Sequence, residues 1–241
     1  MWLLLSGEGP SDIGSCTAQV DPCEGPDFRV GPMGRIVDRL VREKFDYSPI
    51  ECEVARFISE NRLARSGKKL QSKKSLLLPG TRRKKETQYF ERNARALARA
   101  AHALAQEKND SVVAVLFRDA DGTHSSSRGL WENKRDSIVR GFDRERFSTG
   151  VPMVPKPKSE AWLLCAVKQN SYQHCENLEN ESGNDNAANP LKKQLDEAVG
   201  KHLGVEAWVE KVNGGEIDLG KIDMPSFNDF KQRLFNVLDR I

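Results

Sequence analysis

Val112-Val113-Ala114-Val115-Leu116-Phe117, running straight into Arg118-Asp119-Ala120-Asp121-Gly122, is the stretch on which the reading of this chain turns. Six apolar residues with no polar alternation predict a strand covered on both faces, the central position of a mostly parallel sheet. A second apolar run, Trp2-Leu3-Leu4-Leu5, ends at Ser6-Gly7-Glu8 and predicts a buried strand over residues 2–6. It lacks the basic start and the length of a signal peptide, and no membrane segment is expected. Between these strands the apolar spacing turns helical. Helices are expected from Met33, over Glu86–Lys108, Trp131–Phe142, Ser159–Val167, Leu191–Leu203 and Phe227–Leu238. Alternation from Ile50 through Cys52 and Val54 to Phe57, and the run Val151–Val154, predict two further strands. Residues 14–32, rich in Gly, Pro and Cys, read as a loop, and residues 169–189 as a mobile polar loop.

Strands alternating with helices imply an α/β fold, a mostly parallel central sheet flanked by helices on both faces in the Rossmann manner. The expected organisation is an α/β domain over residues 1–167, a polar loop over 168–189 and a helical C-terminal extension over 190–241 packed on the same domain. The 241 residues suffice for this, with 38% hydrophobic and 30% charged residues, and the net charge of +3 is too small to select a partner. Cys16, Cys23, Cys52, Cys165 and Cys175 are odd in number and irregular in spacing. Without a C-x₂-C pair they read as reduced thiols of a cytoplasmic protein, and a zinc site from Cys23, His174 and Cys175 is disfavoured.

In open α/β sheets the ligand site lies at the carboxyl ends of the strands. Glu8, after the first strand, and Asp119 and Asp121, after the central one, are therefore expected to be neighbours. Three carboxylates so placed repel one another. A hard divalent cation, Mg²⁺ or Mn²⁺, relieves that repulsion through oxygen ligands. Asp12 is a further candidate ligand or a turn cap. Glu160 is a candidate base or second-ion ligand, or an ordinary first-turn acid. Trp162 reads as core, and His124 as a proton donor or an exposed loop residue. Between residues 66 and 85 stand Lys68, Lys69, Lys73, Lys74, Arg82, Arg83, Lys84 and Lys85 with no acid among them. Such a run suits a nucleic-acid backbone, DNA rather than RNA, although a solvated loop has the same composition.

Glu8-Gly9 after the first strand and Asp119-Ala120-Asp121 after a later one resemble the TOPRIM domain of topoisomerases, primases and OLD-family nucleases. Gly7-Glu8-Gly9-Pro10-Ser11-Asp12 looks like the version found in small bacterial, defence-associated members. Lys156-Pro157-Lys158-Ser159-Glu160-Ala161-Trp162-Leu163 is also similar to those members, where a Glu-x-Trp on a helix follows the Asp-x-Asp strand. The resemblance spans roughly residues 1–167. It implies a Mg²⁺-dependent nuclease or nicking enzyme with Glu8, Asp119, Asp121 and Glu160 as catalytic groups, and a separate ATPase partner in phage defence. Two other readings stand beside it. Asp119-Ala120-Asp121-Gly122-Thr123 also spells the nucleophile motif of HAD-type phosphatases, with Asp119 as the attacking group, but that reading gives Glu8 no part. A non-catalytic subunit with a degenerate site, binding nucleic acid or an ATPase, is the third. The chain has no G-x-x-x-x-G-K-[ST] loop of its own.

Overall fold

The computed structural model describes residues 1–17, 20–69, 85–120 and 131–241, with the side chains of residues 69, 85 and 86 left aside. The two predicted buried strands form where the apolar runs stand: β1 over Trp2–Gly7 and, further along, β6 over Val112–Phe117. Between them come β2 (Gly14–Cys16), β3 (Cys23–Glu24), β4 (Phe28–Val30), α1 (Pro32–Phe45), β5 (Ala55–Ser59), α2 (Glu60–Lys69) and α3 (Lys85–Lys108). After β6 follow α4 (Trp131–Arg144), β7 (Gly150–Met153), α5 (Ser159–Val167), α6 (Leu191–Val199), α7 (Val205–Asn213) and α8 (Pro225–Leu238).

The central sheet has five strands in the order β3-β5-β1-β6-β7. β5, β1, β6 and β7 are parallel, and only β3 pairs antiparallel, along β5. The period of two along each strand divides the core. Leu3, Leu5, Val113, Val115, Phe117, Val151 and Met153 join one apolar cluster with residues of α1, α5, α6, α7 and α8. Leu4, Ala114 and Leu116 join the other, with α2, α3 and α4. Both faces of β6 are therefore covered, which is why its sequence does not alternate.

The structure departs from the sequence reading in several places. Residues 14–32 are not a plain loop, for they carry β2 and β4, paired antiparallel, and the edge strand β3. Residues 51–53 form a turn rather than strand, and the strand begins at Ala55. Its position follows from Asp38, whose buried carboxylate accepts bonds from the Ser48 hydroxyl at 2.8 Å and Ile50 N at 3.0 Å. Within 169–189, Cys175–Asn180 forms a 3₁₀ turn with Cys175, Leu178 and Glu179 buried. The cysteines are not all free thiols: Cys16 bonds Cys23 and Cys165 bonds Cys175, leaving Cys52 exposed and unpaired. The sequence spacing of these pairs carried no signal, because each pair is brought together by a turn that has no motif. Among the described residues no helix is long and apolar enough to cross a membrane.

The C-terminal helices are anchored to α5 through Trp162. The indole is fully buried, lies edge-on to Phe227 at 5.0 Å between centroids and stacks on Phe230 at 5.8 Å. Its Nε1 donates to the Ser226 Oγ at 2.9 Å, and Ser226 N donates to the buried Glu179 carboxylate at 2.6 Å. Trp162→Ala is therefore expected to lower the unfolding free energy by about 3–5 kcal/mol, as for large aromatic truncations in cores. Urea unfolding followed by circular dichroism checks this, and a loss below about 1 kcal/mol would mean α5 and α8 do not depend on one another.

Candidate functional site

The parallel register sets the site. Gly7 at the end of β1 lies level with Phe117 of β6 on one side and Ser59 of β5 on the other. The next residue on each strand, Glu8, Arg118 and Glu60, therefore emerges on one rim, at the carboxyl ends of the strands where α/β folds place ligands. The approach is close: a Cβ at Gly7 would meet the Phe117 carbonyl oxygen at 2.6 Å. Gly9 follows with φ +75, which only glycine adopts without strain, and turns the chain into a single wide turn over Gly9–Ile13. That turn carries Asp12 back over the rim.

Glu8 uses both carboxylate oxygens. Oε1 accepts the Asp119 backbone N–H at 3.0 Å, and Oε2 accepts Arg118 Nη1 at 2.5 Å. The other terminal nitrogen of Arg118, Nη2, donates to Glu60 Oε1, and the Tyr89 hydroxyl donates to the same oxygen. The guanidinium carbon lies 4.9 Å from the Tyr89 ring centroid and 5.5 Å from that of Phe90. Behind the rim the fully buried Lys134 donates to the Ala120 carbonyl, fixing the turn that follows Asp119.

Asp119 reaches forward to α5. Its Oδ1 accepts Ser159 N at 2.9 Å, so the carboxylate sits at the N-terminus of a helix whose own cap residue, Lys158, makes no side-chain cap bond. Ser159, the first residue of α5, is the residue capped. Its hydroxyl proton goes to Asp12 Oδ1 at 2.7 Å rather than to Glu160 Oε2 at 3.4 Å. Ser11 Oγ bonds the other Asp12 oxygen at 3.3 Å.

Glu8 and Asp119, expected as neighbours, thus meet, and Asp12 and Glu160, each left with a structural alternative, lie beside them. Asp121 and His124 lie outside the described residues, as do Lys73, Lys74, Arg82, Arg83 and Lys84. Lys68 is exposed near the end of α2, a helix the sequence reading did not foresee, and Lys69 and Lys85 are placed by backbone only. The sequence also missed Arg118, Glu60, Tyr89 and Lys134. For Arg118 a signal existed, a charge directly after a buried strand, but its partner Glu60 is 58 residues away.

Crowded carboxyls resist ionisation. Asp12 is pushed up to about 6, first by burial and then by Glu160 and Glu8, against the pull of the Ser159 and Ser11 hydrogen bonds. Asp119 is held well above the usual carboxylate range by burial and by Asp12, Glu160 and Glu8, and the Ser159 N–H only partly offsets this. Burial depresses the Lys158 ammonium, but its ion pair with Asp185, then Glu160 and Asp119, raise it overall. The rim therefore gathers carboxyls of which Asp12 and Asp119 resist ionisation. Its donors are all oxygen, the chemistry that suits a hard divalent ion. Among the described residues no three acidic, His or Cys side chains already stand as a cage for one. The fit to a metal thus rests on charge and donor type.

No protein-family model matches the chain, and no curated protein or solved structure matches it either.

The raised carboxyls have a consequence for stability. A carboxyl whose folded pKa lies above its unfolded value near 3.8 contributes stability fully present below that value and lost as pH rises through about 6. Asp119 acts in the same direction. Metal-free protein is therefore expected to lose stability between about pH 4 and pH 7 from this cluster. Asp12→Asn should match the native chain near pH 4 and exceed it by about 1–3 kcal/mol at pH 8. Denaturant melts at the two pH values test this, and equal differences at both would mean the cluster is solvated and its charges uncoupled.

Proposed function

We propose that the chain hydrolyses phosphodiester bonds in nucleic acid with the help of Mg²⁺ or Mn²⁺, as a nuclease or nicking enzyme of TOPRIM type. The observation that carries this reading is the meeting of Glu8, Asp12, Asp119 and Glu160 on one rim, where burial and the neighbouring carboxyls push Asp12 and Asp119 above the usual carboxylate range. Glu8, Asp119 and Asp121, with Asp12 beside them, would hold the ion. Bound there, it supplies Lewis-acid polarisation of a phosphoryl oxygen and a more acidic water. The chain's own groups supply the rest. Asp12, held by the Ser159 hydroxyl, is one candidate general base. Glu160 stands next to it as the alternative base. Lys158 keeps its charge at the rim and offers an anchor for a phosphate. A cleft of about 320 Å³ opens beside Glu60, lined by Gly7, Gly9, Gly14, Asp21, Ser59 and Asn61, and leaves room for a nucleotide at the site.

The basic run from Lys68 to Lys85 would track the phosphate backbone, DNA in preference to RNA. Any ATP hydrolysis belongs to a separate partner protein, in keeping with a role in antiviral defence. The cytoplasm is the place for such an activity, while the Cys16–Cys23 and Cys165–Cys175 bonds argue for oxidising conditions. One observation favours a second reading. Both oxygens of Glu8 are engaged by Arg118 and by the Asp119 N–H, as they would be in a subunit whose site only binds.

Two outcomes decide between them. Glu8→Gln and Asp119→Asn should each reduce Mn²⁺-dependent cleavage of plasmid DNA by at least about a hundredfold, the scale of losing one preorganised charge, with an unchanged circular dichroism spectrum. Absence of cleavage by the native chain, with DNA binding retained, supports the binding subunit instead. Lys84→Ala with Lys85→Ala should lower the slope of log affinity against log salt by about 1–2, because each phosphate contact contributes about 0.9. An unchanged slope returns the segment to a solvated surface.

A further inference from the structure

Arg118 belongs to no motif, yet its position is the most constrained by charge of any residue on the rim. Its side chain is only 5% exposed, and it bridges two carboxylates that come from different strands. We propose that Arg118 is a built-in counter-cation that holds Glu8 until a divalent cation replaces it, and that Glu60 with Tyr89 is the seat to which the guanidinium then retreats. This rests on the metal-dependent reading above. It makes Arg118 a positioning residue rather than a catalytic one.

The argument starts from Glu8. For Glu8 to serve a metal, the ion must share an oxygen that already accepts a hydrogen bond. The backbone N–H of Asp119 is neutral and fixed by the strand end, so it can remain. Arg118 Nη1 sits 2.5 Å from Oε2, and its positive charge would repel a divalent ion on the same oxygen. The arriving ion therefore weakens the hold of the guanidinium on Glu8.

The guanidinium has somewhere to go. Nε–H and Nη2 form one side of the arginine fork, the side that grips a carboxylate with two parallel hydrogen bonds. Nη2 already donates to Glu60 Oε1. Nε is buried and has no hydrogen-bond partner, and among the described residues no donor is given to Glu60 Oε2. A small closure of Arg118 on Glu60 would complete that fork. It would satisfy an orphaned donor that is costly to leave buried. The bond given up to Glu8 is thus exchanged for a second bond to Glu60. Tyr89 holds Glu60 from the far side, and its ring with that of Phe90 keeps the guanidinium stacked in either arrangement. The site is poised between an arginine-closed and a metal-ready form.

The exchange predicts opposite effects from two partners of one ion pair. Mn²⁺ alone, without nucleic acid, is titrated calorimetrically into the full chain and its variants. Arg118→Met removes the competitor, so Mn²⁺ should bind about tenfold more tightly, while the metal-free protein melts at a lower temperature. Glu60→Gln removes the charge of the retreat, so Arg118 should cling to Glu8 and Mn²⁺ should bind about tenfold more weakly. Arg118→Lys keeps the charge and should stay within about threefold of the native chain. If both Arg118→Met and Glu60→Gln weaken Mn²⁺ binding, the pair merely scaffolds the site and the inference fails while the metal reading stands. If Arg118→Met does not fold, Glu60→Gln decides alone, and unchanged or tighter Mn²⁺ binding overturns the exchange. Native chain that takes up no Mn²⁺ overturns the metal reading itself, and this inference with it.

Discussion

A parallel register that sets Gly7 of β1 level with Phe117 of β6 and Ser59 of β5 leaves little freedom to the residues that follow. Glu8, Arg118 and Glu60 must surface together, and with them the need to place charges of both signs in a poorly solvated space. The rest of the rim is a set of answers to that need. Arg118 is shared between two carboxylates. The Asp119 N–H turns to Glu8, the Asp119 carboxylate turns to the N-terminus of α5, and Ser159 passes its proton to Asp12. Apart from Arg118 Nε, each of these groups is satisfied by an element other than its own. Loss of any one contact therefore leaves a buried group on a second element unpaired, which costs more than the contact itself contributes.

The same device appears twice. Asp119 caps α5 from the end of β6, and Glu179 caps α8 from the 3₁₀ turn before it. Carboxylates at helix N-termini complement the helix dipole as well as the free N–H groups. Here they also choose which helix end docks where. α5 is thereby tied to the sheet through Asp119, and α8 is tied to α5 through Ser226 and Trp162.

What the sequence made legible was whatever depends on local apolar pattern. β6 was readable to the residue because both its faces are apolar, and α5 because its apolar positions fill almost the whole helix. The meeting of Glu8 with Asp119 was readable too, because parallel strands impose it. Short elements were not. β3 has two residues, too few for a period to register, and α7 lacks the near-continuous apolar run of α5. The strand start at Ala55 was shifted from the expected one by the Asp38 hydrogen bonds to Ser48 and Ile50, which no local pattern reports. Arg118 and Glu60 stayed hidden for a related reason. Neither side chain is unusual in its own segment, and their significance arises only when β5 and β6 flank β1. The cysteine pairs were hidden likewise, since a bond across a seven-residue separation depends on the path of the chain between them.

The dependence of α5 on α8 bears on how the protein is made. Synthesis proceeds from the N-terminus, and domains settle as their parts emerge. β1, β5, β6 and β7 leave the ribosome early, bearing Glu8, Glu60 and Asp119. The helix that brings Ser159 and Glu160 to them is held in place by Phe227 and Phe230, which come later in the chain. A nascent chain thus carries the acidic rim without the segment that completes it.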